Sequence, residues 1–132
     1  MSSLKIYKDE NCRLFKDCDL CFNKNSYIVA IESNILGFFD LIEYDEKTVL
    51  ISYELLKKHR NLGIGRGFFK IIEKYVIENF GYEKIVLAIA CDNCKSLNIA
   101  ILQDYILDTD FDEQNEMHNH KIYIKKIDRK QQ

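Results

Sequence analysis

Proline is absent from the 132 residues, glycine occurs only five times, and no apolar run is long enough to cross a bilayer. Without proline-rich, repetitive or low-complexity stretches there is no candidate linker, and residues 1–132 read as a single domain. Charge of one sign is missing too. Nineteen Lys and Arg stand against 21 Asp and Glu, a net charge of -2, which excludes the strong positive field of a nucleic-acid protein. The basic end "KKIDRKQQ" reads as a solvated terminus. The opening residues "MSSLKIYKDENCRLFK" contain no continuous apolar core of signal-peptide length, so a cytoplasmic protein with no membrane partner is expected. In that compartment the five cysteines, an odd count, are reduced thiols rather than a disulfide framework. What is present is ordinary: 47% hydrophobic and 30% charged residues, enough for a core without disulfides or metal.

Hydrophobic patterning gives the order of elements. "LKIYK" (4–8) reads as a strand and 9–25 as one or two short helices. "SYIVAIE" (26–32) and "ILGFFDLIEY" (35–44) form a hairpin turning at Ser33 and Asn34, and "KTVLISYELL" (47–56) adds a third strand after Asp45 and Glu46. Phe68, Ile72 and Tyr75 with Phe69, Val76 and Phe80 make one stripe on a helix from about Gly65 to Asn79, with Gly81 as its stop. "KIVLAIAC" (84–91) is a continuous apolar run, as in a strand buried on both faces. Asn93 and Ser96 open a second helix, with Leu97, Ile99, Ile101 and Leu102 inward to about Gln103. A poorly marked strand within 105–116 and a clear one at "KIYIKKI" (121–127) complete a mixed α/β sandwich with a largely antiparallel sheet.

Three of the five glycines fall within five residues of "KKHRNLGIGRGFFK" (57–70), between the third strand of that group and the first long helix. Glycine there clears side chains so that backbone N–H groups converge on an anion, and the helix dipole adds about half a positive charge. A phosphate or pyrophosphate is the natural ligand; a tight strand-to-helix turn is the plain alternative. A dinucleotide fingerprint would need glycine at Phe68, and a Walker loop would need a Gly-Lys-Ser/Thr ending.

The pattern that remains, Arg60-x-x-Gly63-x-Gly65 after a strand and opening a helix, resembles the pyrophosphate loop of the GNAT N-acetyltransferases. "ISYELLKKHRNLGIG" is similar to that superfamily's fourth strand and loop, particularly in the branch of ribosomal-protein N-terminal acetyltransferases. "IVLAIACDNCKSLNIAILQDY" is similar to its fifth strand and following helix, with Asn93-x-x-Ser96 at the motif position. The resemblance implies one N-acetyltransferase domain of α+β class, with a mixed, mostly antiparallel sheet of six or seven strands splayed between strands 4 and 5. It implies acetyl-CoA as cosubstrate and no metal.

Carried onto this sequence, the resemblance puts the pyrophosphate on the amides of Leu62, Gly63, Ile64, Gly65, Arg66 and Gly67, with Arg60 and Arg66 adding charge and Asn61 in the same loop. The pantetheine arm would pair with the backbone of Leu55 and Leu56, which also supply oxyanion donors, and Asn93 would bond the same arm. An amine of pKa about 8–10 arrives protonated, so direct attack in a ternary complex needs a base. Glu54 is the first choice, then His118 and His120, with Glu32 and Asp92 behind. Many relatives protonate the leaving thiolate with a tyrosine seven residues after the motif asparagine. Here that position is Ala100, Tyr105 stands at a usual phenylalanine, and Ser96 takes the role or merely caps its helix. Asp104, Lys57 and Asn61 also depart from the usual glycine, proline and glycine.

Two further readings come from other classes. One is a non-catalytic CoA-binding or regulatory domain. The other is zinc held by Cys18-x-x-Cys21 and Cys91-x-x-Cys94, against plain thiols. The acidic "DTDFDEQNE" (108–116) favours a cationic amine as partner: a small molecule, a protein N-terminus or a lysine. A homodimer fits the resembling family.

Overall fold

The structure is a computed structural model and describes residues 4–9, 24–109 and 119–128. Strands β1 (Leu4–Lys8), β2 (Lys24–Ile31), β3 (Asn34–Glu43) and β4 (Thr48–Leu55) form an antiparallel meander. A single 3-10 turn at Lys57–His59 and the glycine loop lead into helix α1 (Gly65–Asn79). Then come β5 (Lys84–Ala90), helix α2 (Cys94–Leu102), β6 (Ile106–Leu107) and β7 (His120–Lys126). The seven strands make one sheet in the order β1-β2-β3-β4-β5-β7-β6, antiparallel except between β4 and β5. Cys12, Cys18, Cys21 and His118, most of the acidic 108–116 stretch, and the expected helical segment apart from Asp9, Lys24 and Asn25 lie outside the described residues. No helix among the described residues is long and apolar enough to cross a membrane.

Alternation puts Tyr27 and Val29, Phe39 and Leu41, Val49 and Ile51, Ile85, Leu87 and Ile89 on one face of the sheet, where α1 covers them with Phe68, Phe69, Ile72 and Val76. Each such side chain contributes about 1.5–3 kcal/mol when withdrawn from water. Tyr27 and Phe39, opposite each other in register, stack at 5.0 Å. The β2–β3 loop is Glu32 and Ser33, one residue earlier than expected, and Glu32 takes the positive φ of 57° that a two-residue hairpin demands. Beyond it Leu36 is an extra residue in β3, since Val29 faces Gly37 while Ala30 faces Ile35.

At Gly37 the Phe68 ring of α1 comes down on bare backbone of the sheet. A Cβ there would lie 2.3 Å from the Glu54 carbonyl oxygen, 2.8 Å from Phe68 Cζ and 3.0 Å from Leu55 Cα. The bare backbone lets the Phe68 ring settle on the end of β4. Farther along α1 the buried Glu73 accepts from Tyr105 Oη (2.7 Å) and Lys125 Nζ (3.1 Å), tying the helix to β7. Burial, then the Glu73 carboxylate, drives the Tyr105 phenol far above its usual range.

Three expectations need correction. Gly81 is not the stop of α1. The helix ends because Phe80 turns extended (φ -133°, ψ 159°) and buries its ring among Tyr27, Tyr75 and Tyr82, and Gly81 keeps an ordinary backbone. In α2 Leu97 and Ile99 pack on the core as expected, but the other inward residues are Ser96, Ala100 and Gln103, with Ala100 and Gln103 buried, and Ile101 and Leu102 turn to solvent. Two of those inward residues are polar, and hydrophobicity alone missed them. Nor is β5 buried throughout: Ala88 is exposed because β4 has by then moved away.

Candidate functional site

β4 and β5 pair over only three positions, Thr48 with Lys84, Val49 with Ile85 and Leu50 with Val86. β4 then runs on to Leu55 beside β3, and β5 to Ala90 beside β7, so the two halves of the sheet part. Between them lies a pocket of about 90 Å³ lined by Ile51 to Tyr53 and Leu87 to Ala90 with Asn93 and Ser96. It shares Tyr53, Asn93 and Ser96 with a cleft of about 820 Å³, whose other walls include Leu55, the glycine loop and α2. The expected splay is therefore present, and the cleft beside the glycine loop adjoins it at Tyr53, Asn93 and Ser96.

Backbone direction decides which amides face the gap. Leu56 N–H donates to Leu36 O at 2.8 Å, so even-numbered amides of β4 turn toward β3 and odd-numbered ones, Leu55 among them, turn toward β5. Of the expected pair, Leu55 alone presents its backbone to the cleft, and the Leu56 amide is already occupied.

The glycine loop meets its expectation only in part as a turn. Gly63 has φ +76° and Asn61 +64°, so the chain reversal needs a left-handed residue at each. Gly65 and Gly67 have no positive φ; a Cβ at Gly65 would touch only Ile99 Cδ1 at an ordinary 3.4 Å, and one at Gly67 nothing within 4 Å. Neither conformation nor packing requires glycine at these two positions. α1 also begins at Ile64 with no side-chain cap and no acidic residue in its first turn, which leaves its N-terminal amides without a side-chain acceptor. Uncapped amides above an open cleft, with the helix dipole behind them, suit an anion.

The cations are partly committed. Arg60 bonds Glu54 Oε1 (2.6 Å) and Leu55 O (3.0 Å), while Arg66 bonds Gln103 Oε1 (3.0 Å) and reaches Leu102 O (3.5 Å) at the end of α2. Lys95, which the sequence reading missed, donates to Asn61 Oδ1 across the mouth of the cleft. Its signal was only its place two residues after Asn93. Leu62 and Ile64 are exposed beside the loop.

Asn93 caps α2, its Oδ1 accepting from Ser96 N at 3.2 Å, which fixes Ser96 at the head of the cleft. Beside Ser96 stands Tyr53, also missed from sequence. Its ring packs on Phe68 and Phe69, and its hydroxyl is buried without a well-formed hydrogen bond. Burial pushes the Tyr53 phenol up, and the neighbouring Ser96 hydroxyl pulls it partly back.

On the opposite face of the sheet the alternation places Glu54 on β4 and Ala88 and Ala90 on β5, with His120 facing Ala90 from β7. Glu54 is half exposed and paired with Arg60. His120 keeps a buried Nδ1 with no partner. Glu32 sits in the β2–β3 loop, at the Leu55 end of the sheet but two strands from β5 and outside the lining of the cleft and gap, and Asp92 is exposed before α2. Cys91 and Cys94 are exposed and form no disulfide, and no group of three or more potential metal ligands comes together among the described residues.

Residues 2–100 match the acetyltransferase (GNAT) family. No curated protein matches the chain by sequence. Among solved structures the fold is similar to the N-acetyltransferase PseH of Campylobacter jejuni, with a TM-score of 0.72 and 14% identity over 95% of this chain and 99% of that one. It is similar to the spermidine N-acetyltransferase of Vibrio cholerae, solved as a dodecamer, at the same TM-score and identity over 93% of each chain. A seven-stranded sheet parted between β4 and β5, a glycine loop opening α1 and the family match lead to one conclusion. The chain belongs to the acetyltransferase (GNAT) family and is an acetyl-CoA-dependent N-acetyltransferase.

Proposed function

We propose that the loop from Leu62 to Gly67 holds the pyrophosphate of acetyl-CoA on the uncapped amides of α1, and that the pantetheine arm follows the cleft to Leu55 and Asn93. The observation that carries this is the pair Gly65 and Gly67, glycines that neither the fold nor the turn requires, at a helix start lacking any side-chain cap. PseH solved with acetyl coenzyme A and the Vibrio cholerae enzyme solved with CoA and spermine share this fold and support the reading. Arg60, Asn61 and Lys95 rim the entrance.

The acceptor enters from the other face, where Glu54 and His120 stand. Either takes a proton from the ammonium directly or through water, while Leu55 N–H receives the developing oxyanion. Ser96 lies on the thiol side of the reaction. The acceptor class is a cationic primary amine, carried by a small molecule, a lysine or a protein N-terminus. Within the family the motif "ISYELLKKHRNLGIG" favours the branch that acetylates N-termini of ribosomal proteins.

Calorimetry with acetyl-CoA on the wild type, Gly65→Glu and Gly81→Ala tests the site. Micromolar binding lost in Gly65→Glu and kept in Gly81→Ala, whose Cβ has open space far from the cleft, supports it. Equal binding by all three folded proteins moves the pyrophosphate elsewhere.

A further inference from the structure

Among the described residues, Tyr53 is the one side chain lining the cleft and gap whose hydroxyl is buried and unsatisfied. A buried donor without an acceptor costs roughly 1–3 kcal/mol relative to a paired one. The ring's packing on Phe68 and Phe69 would be served as well by phenylalanine. The hydroxyl thus has only the neighbouring Ser96 beside it, in no well-formed hydrogen bond, and it belongs to a residue that lines both the helix-side cleft and the strand gap, as Asn93 and Ser96 do.

A thioester whose phosphates are at α1 and whose acceptor comes from the opposite face passes these three shared residues. We infer that Tyr53 Oη is the hydrogen-bond donor to the thioester sulfur and the proton source for the departing thiolate, with Ser96 holding the phenol in place. This rests on the acetyl-CoA site proposed above. In the step, the amine nitrogen bonds the carbonyl carbon and the carbon–sulfur bond breaks. Sulfur takes the phenolic proton, and the proton surrendered by the amine returns through solvent to the phenolate. No other reactant is needed. The raised phenol stays protonated through neutral pH and is thus a donor when the sulfur arrives. The family's usual tyrosine position is Ala100 here, fully buried under the helix, so the donor reaches the same cleft from β4.

The test uses free CoA and needs no acceptor. A donor at the sulfur stabilises bound thiolate, so the thiol of bound CoA, followed by its ultraviolet thiolate absorbance, titrates about one pH unit higher in Tyr53→Phe than in wild type. The charged groups lining the cleft, Glu54, Arg60, Arg66 and Lys95, are common to both proteins, and so is His120 beyond the strand gap. Calorimetry below the thiol pKa should give CoA affinities within threefold of each other. Thermal melting should show Tyr53→Phe as stable as wild type or more so, an outcome a structural hydroxyl would not give. Identical thiol pKa values with intact CoA binding overturn the assignment of Tyr53 alone. Absence of CoA binding to folded wild type overturns the cofactor site and this inference together.

Discussion

Gly37→Ala tests the link between packing and the site most directly. Gly37 has no positive φ, so alanine meets no backbone penalty, and reduced freedom of the unfolded chain would on its own stabilise the protein by about 0.4–1 kcal/mol. Space decides against it. The added Cβ falls short of the ~3.5 Å resting distance of carbon atoms by roughly 0.7 Å at Phe68 Cζ and 0.5 Å at Leu55 Cα, and it meets the Glu54 oxygen at 2.3 Å. Two of these three atoms are backbone and cannot swing aside, so the end of β4 must shift. Overpacking of this kind costs about 1–3 kcal/mol, which leaves a net loss of about 1–2 kcal/mol. With a urea slope of about 1–3 kcal/mol per molar, the midpoint falls by on the order of 1 M. The strand end that moves carries Leu55 and Glu54, so acetyl-CoA affinity falls as well. Phe68→Leu in the same chain relieves one contact and recovers part of the stability, a positive coupling in a double-mutant cycle. A Gly37→Ala protein with an unchanged midpoint and unchanged affinity would refute the claim that this close approach positions the strand.

Three other outcomes follow from described contacts. Gly67→Ala, inside α1 with open space around its Cβ, raises stability by about 0.5–1 kcal/mol in urea unfolding; a loss would mean the helix start is tighter than its geometry. Lys125→Met leaves the buried Glu73 carboxylate with only the Tyr105 hydroxyl and costs about 1–3 kcal/mol, and adding Glu73→Gln recovers part of it. Alkaline unfolding gives the third. Burial first and Glu43 next raise the Tyr82 phenol from 10.0 to about 12. Between those values the unfolded chain has lost a proton that the folded one keeps, so stability falls as pH rises from about 10 to about 12. Tyr82→Phe makes that part of the curve less steep, leaving the share of the other raised phenols, Tyr27, Tyr53 and Tyr105, and an unchanged slope would contradict it.

Much of this was legible from residue order. The strands of the meander, α1 and β7 have strong periodicity, β5 is a plain apolar run, and the glycine loop and Asn93-x-x-Ser96, singled out from sequence, line one cleft. What sequence hid was everything set by a neighbour distant along the chain. Gly37 looks like a weak strand residue until Phe68 is seen above it. Tyr53 reads as one more core aromatic until its hydroxyl emerges beside Ser96. Arg60 reads as a free cation for phosphate, yet it is bonded to Glu54 and Leu55. In α2 Ser96 and Gln103 hide the inward stripe because they are polar, and Leu56 looks like a donor because backbone direction follows the β3–β4 register, which residue order does not show.

The three-residue pairing of β4 with β5 has a mechanical meaning. Among the described residues it is the one strand pairing between a half made of β1 to β4, joined in chain order, and a half made of β5 to β7. The halves are otherwise joined through α1, which packs over both. A ligand lying in the gap spans that seam, so its binding energy is also cohesion between halves. Saturation at a hundred times Kd is worth about 2.7 kcal/mol against unfolding. A substrate held there would in this sense be part of the architecture, and the protein most nearly a single rigid body while holding one.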